Sequence, residues 1–193
     1  MMTSCLLSRW QSTCGRNRWH GSLSRHRRNS SGGNRQVAYT IKKVDWIGGW
    51  STVDEIMSGC PEWRIHKQRP NFDQWAARGR QFRQPFIVIA YDDEADKPIG
   101  YQAGYRWDGP PRYGYLWSAA VLPDYRRQGV MTALLKYFGV EARESWSVLE
   151  IRTHTGTDFP DMLNLLPKRG FKTESGSNSS AHNMEFYIPL SNL

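Results

Sequence analysis

Three consecutive stretches of strand-like sequence, joined by short polar turns, restrict the fold of this chain more than any other feature. Apolar, aromatic and β-branched residues dominate segments 86–91, 99–107 and 113–121. Residues typical of turns fill the connections 92–98 and 108–111. Such runs with such short connections pair as antiparallel neighbours. The sequence therefore predicts a three-stranded antiparallel meander.

Strand-like and helix-like patterns also flank the meander. Before it, residues 37–44 alternate like a strand, and helices are predicted over 51–59 and 71–83. After it the sequence predicts a helix over 130–145, a strand over 147–153, a helix over 161–168, a strand from 171, a loop over 174–182 and a strand over 183–190. This order implies an α/β fold in which a mixed, mainly antiparallel sheet is flanked by helices.

The positive charge of the chain is concentrated in its first 36 residues. The formal net charge is +8, and residues 1–36 hold seven Arg but no Lys, Asp or Glu. This Arg- and Ser-rich segment lacks apolar periodicity, so we predict a disordered arm over 1–36 and a folded domain over 37–193. The domain is nearly neutral, which argues against a basic surface that grips nucleic acid.

The role of the arm has three explanations that the sequence leaves open. It has the composition of an organellar transit peptide, of a basic arm that meets RNA, DNA or an anionic surface, or of an unstructured extension before a true start near Val37.

The longest apolar run, residues 85–91, is too short to span a bilayer. Three cysteines without a C-x-x-C pair favour a reducing compartment and indicate no zinc site. We expect a cytoplasmic protein, or an organellar matrix protein if the arm is a transit peptide.

The segment after the meander carries the most specific chemistry. The third strand leads through a short loop, 122–129, directly into the helix predicted from 130. The loop contains Arg126, Arg127 and Gly129. It brings together free backbone N–H groups, a helix N-terminus and two guanidinium groups, which suits a phosphate or pyrophosphate. From these residues alone, a solvated basic turn before a helix is an equal alternative.

This stretch resembles the acyl-CoA-binding motif V-x-P-x-x-R-x-x-G-x-G/A of the GNAT superfamily of N-acetyltransferases. The matching residues are Val121, Pro123, Arg126 and Gly129. Met131 departs from the motif, because Gly or Ala is usual there. A second resemblance covers 159–171, which looks like the last helix of the family and ends in Gly-Phe.

The resemblance implies a sheet that splays into a V between its central strands and binds acetyl-CoA there, without a metal. The pantetheine arm would pair with the backbone of Ala119, Ala120 and Val121. The residues implied at the pyrophosphate are Arg126, Arg127, Gln128, Gly129, Val130, Met131 and Thr132. An amine would attack the thioester carbonyl directly, with a backbone N–H stabilising the oxyanion.

The residues that would move protons are less well defined. The tyrosine that many family members use to protonate the thiolate is replaced by Leu166, so the alternatives are water, Tyr187 and Tyr125. His154 is the first candidate for the base that deprotonates the amine, because an imidazole titrates near neutral pH. Glu150 is the second. A structural histidine, a solvated glutamate and a water-relayed deprotonation are the competing explanations.

The resemblance implies that the acceptor is an amine-bearing small molecule or peptide, which the sequence does not identify further. Five tryptophans, if not core residues, would line its cleft and suit an aliphatic or cationic amine: Trp46, Trp50, Trp63, Trp75 and Trp107. Two other functions stay open: a nucleic-acid-associated adaptor that docks through the basic arm, and a CoA-binding pseudoenzyme. A homodimer is also left open.

Overall fold

The computed structural model describes residues 37–65, 83–173 and 184–192. Its strands are β1 (Tyr39–Asp45), β2 (Arg83–Asp92), β3 (Lys97–Trp107), β4 (Tyr113–Val121), β5 (Glu150–Thr155), β6 (Lys172–Thr173) and β7 (Met184–Pro189). Its helices are α1 (Trp50–Gly59), α2 (Pro61–Ile65), α3 (Val130–Trp146) and α4 (Pro160–Lys168), with 3-10 turns at Pro123–Tyr125 and Leu190–Asn192. The predicted arm, the predicted helix up to residue 82 and the predicted 174–182 loop lie outside the described residues.

The strands form one seven-stranded sheet in the order β1-β2-β3-β4-β5-β7-β6. The strands β1 to β4 pair antiparallel in sequence order, which confirms the predicted meander. β4 and β5 are parallel, and β7 pairs antiparallel with both β5 and β6. The mixed, mainly antiparallel sheet with flanking helices is therefore confirmed.

Helices cover both faces of the sheet. On one face, Leu134, Phe138 and Ala142 of α3 recur at helical spacing and are fully buried against the strands. Helix α4 joins the same core through Leu166. On the opposite face, α1 buries its apolar side against β2 and β3. These two cores therefore pack against opposite faces of the sheet.

The two central strands are paired along only part of their length. β4 and β5 are in register from Gly114↔Ile151 to Leu116↔Thr153, and the pairing stops there although both strands continue. The register of β3 against β4 shifts at the same level and leaves Trp117 as the extra residue of a β-bulge. Beyond Leu116 the sheet therefore opens into a gap between β4 and β5.

Three local expectations need correction. The second helix predicted over 71–83 does not reach its last residue, because Arg83 already belongs to β2. Helix α2 was not predicted. The strand predicted over 147–153 runs instead from 150 to 155, because Ser147 takes a left-handed conformation (φ 53°) that ends α3. His154 consequently lies inside β5 and not just beyond it.

None of the described helices is long and apolar enough to cross a bilayer.

Candidate active site

The loop from β4 to α3 leaves its backbone accessible at Gly129. Arg127 and Gly129 both have left-handed backbones, with φ of 60° and 86°. Among the described residues, a Cβ added to Gly129 would have one neighbour within 4 Å, the Tyr39 hydroxyl oxygen at 4.0 Å, so these residues leave the space beside this glycine open. Gly129 at the N-cap of α3 has no side chain to cap the helix, and the N–H groups of the first turn have no partner within the helix. The loop therefore offers unshielded amides beside an open space, as a pyrophosphate requires.

A buried carboxylate anchors the loop to the turn between β2 and β3. The Tyr125 hydroxyl donates a 2.8 Å hydrogen bond to Asp92 Oδ2, and Asp92 Oδ1 accepts the N–H groups of Glu94 at 2.9 Å and Ala95 at 3.0 Å. Burial works to raise the pKa of Asp92, but these donors together lower it. Burial and the Asp92 bond also raise the pKa of Tyr125. The Tyr125 hydroxyl is thus engaged in a hydrogen bond within the protein. Its raised pKa makes it a poor general acid for protonating the thiolate.

The motif arginine is held by protein groups. Arg126 Nε donates to the Val121 carbonyl at 2.9 Å, and Arg126 Nη2 forms a short ion pair with Glu62 of α2. Arg127, in contrast, is exposed. Arg126 therefore joins the loop to α2, and Arg127 is better placed to attract a phosphate with its side chain.

The other loop positions are mainly structural in their side chains. Gln128 accepts the N–H of Val37 at 3.2 Å through Oε1 and donates to the Asp124 carbonyl at 2.9 Å through Nε2. Val130 is buried, and Met131 is half-buried and packs against the core under α3. The larger side chain at the position that departs from the motif is thus accommodated by core packing.

The edge of β4 beside the gap presents two residues to an extended ligand. The Leu122 N–H bonds to the Ile99 carbonyl of β3 at 2.9 Å. Because backbone groups alternate in direction along an antiparallel ladder, those of Ala120 also face β3, and those of Ala119 and Val121 face the gap. Ala119 and Val121 are therefore the positions whose backbone groups an extended ligand in the gap can reach, and Ala120, which was also predicted there, is turned to β3.

Polar side chains meet on the sheet where β4 and β5 begin to separate. The Tyr115 hydroxyl lies 2.9 Å from His154 Nδ1, and His154 Nε2 lies 3.5 Å from Glu185 Oε2 on β7. Glu185 Oε1 also contacts Arg152 Nη1 at 3.4 Å. Tyr115 and His154 adjoin the last β4–β5 residue pair, Leu116↔Thr153. This Tyr–His–Glu cluster therefore stands at the entrance of the gap.

The electrostatic state of Tyr115 defines the direction of its hydrogen bond. Burial first, and then the neighbouring Tyr105 and Tyr113, raise the pKa of Tyr115 far above its usual range. The Tyr115 hydroxyl therefore keeps its proton. When His154 is neutral and carries its ring proton on Nε2, toward Glu185, the hydroxyl donates its hydrogen bond to Nδ1.

The other predicted catalytic residues lie away from the gap. Glu150 is four residues from His154, about 13 Å along the strand, and its Oε1 pairs with Arg152 Nε at 2.7 Å. Tyr187 is opposite Arg152 on β7. Leu166, which replaces the usual tyrosine, is fully buried. Tyr115 and Glu185 were missed, because only the register of β4, β5 and β7 brings them to His154.

The four predicted tryptophans that the structure describes do not lie around one cleft. Trp46 and Trp50 are buried and pack with Trp117, with ring centroids 4.9 to 6.1 Å apart, so these two are core residues. Trp63 lies against Phe159, with ring centroids 5.5 Å apart. Trp107 is 47% exposed at the far end of β3, and Trp75 lies outside the described residues.

Comparison with known proteins agrees with this geometry. Residues 50–171 match the model of the acetyltransferase (GNAT) family. No curated protein sequence matches the chain. Solved structures share its fold at low sequence identity, and each of the three that follow is matched over at least 96% of its own length.

A spermidine N-acetyltransferase SpeG chimera from Vibrio cholerae and hSSAT has a TM-score of 0.60 at 13% identity over 79% of this chain and 96% of its own. A GNAT acetyltransferase from Staphylococcus aureus has a TM-score of 0.60 at 15% identity, over 78% of this chain and 99% of its own. The PaiA N-acetyltransferase from Thermoplasma acidophilum, in complex with coenzyme A, has a TM-score of 0.58 at 14% identity, over 78% of this chain and 98% of its own. The chain therefore belongs to the GNAT acetyltransferase family and uses acetyl-CoA.

Proposed function

We propose that this acetyltransferase acetylates a primary amine at the entrance of the β4–β5 gap, with the loop between β4 and α3 holding the pyrophosphate of acetyl-CoA. The observation that carries the proposal is the continuity of this surface. The gap-facing backbone of Ala119 and Val121 leads directly to the open space beside Gly129 and to the uncapped first turn of α3. An extended thioester arm followed by a pyrophosphate matches this order of groups.

The chain would hold the co-substrate mainly through its backbone. The N–H and C=O groups of Ala119 and the N–H of Val121 suit the amides of pantetheine. The first-turn amides of α3, at Val130, Met131 and Thr132, point to an anion together with the positive end of the helix dipole. Arg127 adds an exposed guanidinium, and Arg126 positions the loop through Glu62.

Acetyl-CoA supplies an activated acyl group with a thiolate leaving group. In the transfer the acceptor nitrogen forms a bond to the carbonyl carbon, the carbon–sulfur bond breaks, and the amine loses a proton. We propose that the Tyr115 hydroxyl takes this proton as it passes its own to His154 Nδ1, 2.9 Å away. The imidazolium so formed faces Glu185, which acts as a positioning residue.

A cationic acceptor suits the entrance of the gap best. Tyr105, Tyr113 and Tyr115 line adjacent positions of β3 and β4, with Tyr105 and Tyr115 ring centroids 5.1 Å apart. Aromatic faces attract ammonium groups, and Glu185 adds a carboxylate beside them. This supports an amine that carries positive charge elsewhere in the molecule, either a small molecule or a peptide.

The arm and the compartment enter the proposal only through the sequence. We propose that residues 37–193 form the catalytic domain and that deletion of residues 1–36 leaves the transfer rate unchanged. The buried free thiol of Cys60 is compatible with a reducing compartment, of which the cytoplasm is the simplest case. Loss of transfer after deletion of the arm, with acetyl-CoA still bound, would instead favour an acceptor that docks through it.

The experiment that tests the proposal measures thiol release from acetyl-CoA with a panel of amines, diamines, amino acids and short peptides. We expect His154→Gln to lower kcat by about 100-fold or more, the usual contribution of a general base, and to leave the Kd of acetyl-CoA unchanged. Tyr115→Phe should lower kcat in the same way. Glu150→Gln is the matched control, because Glu150 lies at the closed end of the strands.

Two results would contradict the proposal in different ways. Full activity of His154→Gln and Tyr115→Phe would exclude these residues as the proton path. Tight acetyl-CoA binding with no thiol release for any amine would favour the pseudoenzyme instead.

A further inference from the structure

A glutamine in the middle of β3 is buried without a hydrogen-bond partner. Gln102 is fully buried, and neither its side-chain Oε1 nor its Nε2 has a partner among the residues that the structure describes. In contrast, the buried polar side chains of Asp92, Ser118 and Thr153 each form a hydrogen bond. A buried amide without a partner lowers stability, so its presence at this position points to a bound polar molecule or to a catalytic role.

Gln102 lies on the α3 face of the sheet, one strand away from the gap between β4 and β5. Its neighbours Tyr101 and Ala103 pack in the core on the α1 side, so the side chain of Gln102 stands on the opposite face. Its cross-strand partners are Val88 on β2 and Ala119 on β4. Because the backbone groups of Ala119 face the gap, Gln102 and Ala119 form a non-hydrogen-bonded pair, in which the Cα atoms are about 4.5 Å apart and the side chains are close.

Among the described neighbours of Gln102, the side toward Ala119 is the least enclosed. Val88 is fully buried on one side, and Leu134 and Phe138 of α3, which lie over the neighbouring positions of β3, are also fully buried. Ala119 is half-buried and belongs to the edge of β4 beside the gap. A glutamine carboxamide lies two bonds further from the backbone than the methyl group of alanine. The amide of Gln102 therefore reaches a polar molecule at the gap edge across the small side chain of Ala119.

The group in the gap that most needs such a molecule is the leaving thiolate. An extended arm that begins at the pyrophosphate beside Gly129 runs along Val121 and Ala119 toward the Tyr–His–Glu cluster. Its sulfur therefore lies at the level of Ala119 or between Ala119 and the cluster. Leu166 has no proton to give, and the Tyr125 hydroxyl is engaged with Asp92.

We propose that Gln102 holds a water molecule beside Ala119 and that this water donates a hydrogen bond to the sulfur as the carbon–sulfur bond breaks. The electron pair of that bond passes to the sulfur, the thiolate leaves as an anion, and it takes a proton from bulk water after its release. Gln102 acts through the water and is therefore a positioning residue. The inference rests on the proposed function, because it assumes that the pantetheine arm follows the edge of β4.

A purely structural role for Gln102 makes different predictions. If its side chain only filled the core, an apolar side chain of the same length would preserve kcat. In our proposal the same change lowers kcat, and it does so without a loss of stability, because an apolar group replaces a buried amide that has no protein partner. The variant Gln102→Met separates the two explanations, since methionine is unbranched and close in length to glutamine.

The first measurement detects the water directly in the wild-type full chain. A rotating-frame Overhauser experiment on ¹⁵N-labelled protein should show a signal between water and the Nε2 hydrogens of Gln102, with the sign of a bound water and not of chemical exchange. Loss of the side-chain resonance in Gln102→Met identifies it. Absence of the water signal at the identified resonance overturns the inference.

The second measurement follows thiol release from acetyl-CoA with the most active amine of the panel. We expect Gln102→Met to lower kcat about 10- to 100-fold, as the loss of a hydrogen bond to a charged group implies. The Kd of acetyl-CoA should stay unchanged, and the Tm should be no lower than that of the wild type. Val88→Ala is the matched control, because Val88 is fully buried and pairs directly with Gln102. It should lower the Tm through a core cavity and keep the wild-type kcat.

Three results of the second measurement overturn the inference and leave the proposed function standing. They are a wild-type kcat in Gln102→Met, an equal loss of kcat in Val88→Ala, and a weaker binding of acetyl-CoA by Gln102→Met, which would indicate a direct contact with the co-substrate. A folded wild type that neither binds acetyl-CoA nor releases thiol overturns the proposed function and the inference with it. If Gln102→Met does not fold, Gln102→Leu replaces it, and the water signal of the wild type still decides the inference.

Discussion

The hydrogen bond between Tyr125 and Asp92 joins the loop between β4 and α3 to the turn between β2 and β3. Tyr125 ends the 3-10 turn at Pro123–Tyr125, and its hydroxyl is 2.8 Å from Asp92 Oδ2. The exposed fractions are 8% for Tyr125 and 6% for Asp92. The change Tyr125→Phe removes this donor and retains the ring, over which Lys97 Nζ lies 5.2 Å from the centroid.

The expected cost follows from the charge of the acceptor. A hydrogen bond to a charged group contributes about 1.5–3 kcal/mol, and Asp92 would keep two backbone donors. We therefore expect the free energy of unfolding to fall by about 2 kcal/mol at pH 7. In a chain of this length, that corresponds to a decrease in Tm of about 4–8 °C.

The pH dependence of this effect has a definite sign. The pKa of Asp92 is lowered in the folded protein, because the three donors outweigh the effect of burial. The stabilisation is thus present above the unfolded carboxyl pKa of about 3.9 and is lost as the pH falls through the lower folded value. The difference between wild type and Tyr125→Phe should be constant from pH 6 to 8 and should shrink below about pH 4.

The assay is urea unfolding followed by tryptophan fluorescence in a double-mutant cycle with Asp92→Asn. We expect a coupling free energy of at least about 1 kcal/mol between the two changes. Additive effects, or a difference between wild type and Tyr125→Phe that persists unchanged at pH 3, would refute the assigned role of the bond.

Three further predictions concern two glycines and a cysteine. Gly104→Ala should destabilise the protein by more than about 2 kcal/mol in the same unfolding assay, because the added Cβ would lie 2.3 Å from the Tyr115 carbonyl oxygen and 2.5 Å from Phe138. Gly129→Ala meets no clash and should cost only the left-handed backbone strain of about 1–2 kcal/mol, with a larger loss in acetyl-CoA affinity. Burial raises the pKa of the Cys60 thiol, so in a variant whose two other cysteines are replaced by Ser, a thiol reagent should react only after unfolding; rapid reaction of the native protein would contradict this.

The sheet and its helices were largely predictable because the signals are local. Alternation and turn residues located β2, β3 and β4 within a few positions. The predicted bounds of β5 were wrong for one reason. Ser147 adopts a left-handed conformation that the alternation of neighbouring residues does not reveal. Leu149 fitted an alternating strand by its character but lies before β5 and is 83% exposed.

The candidate site was predictable only where it is contiguous in sequence. The loop residues 126–132 are adjacent, so their motif could be read directly. The Tyr115, His154 and Glu185 cluster combines three strands, and its geometry depends on a parallel and an antiparallel register. The Glu62–Arg126 ion pair joins residues 64 positions apart and leaves no pattern in the sequence.

The measurement that tests the account most directly follows backbone amide chemical shifts of the full chain during titration with acetyl-CoA. We predict the largest changes at Ala119, Val121 and Gly129 and through the first turn of α3, where the N–H groups face the proposed ligand. Changes of that size confined to other parts of the sheet, with these amides unmoved, would contradict the assignment of the acetyl-CoA site.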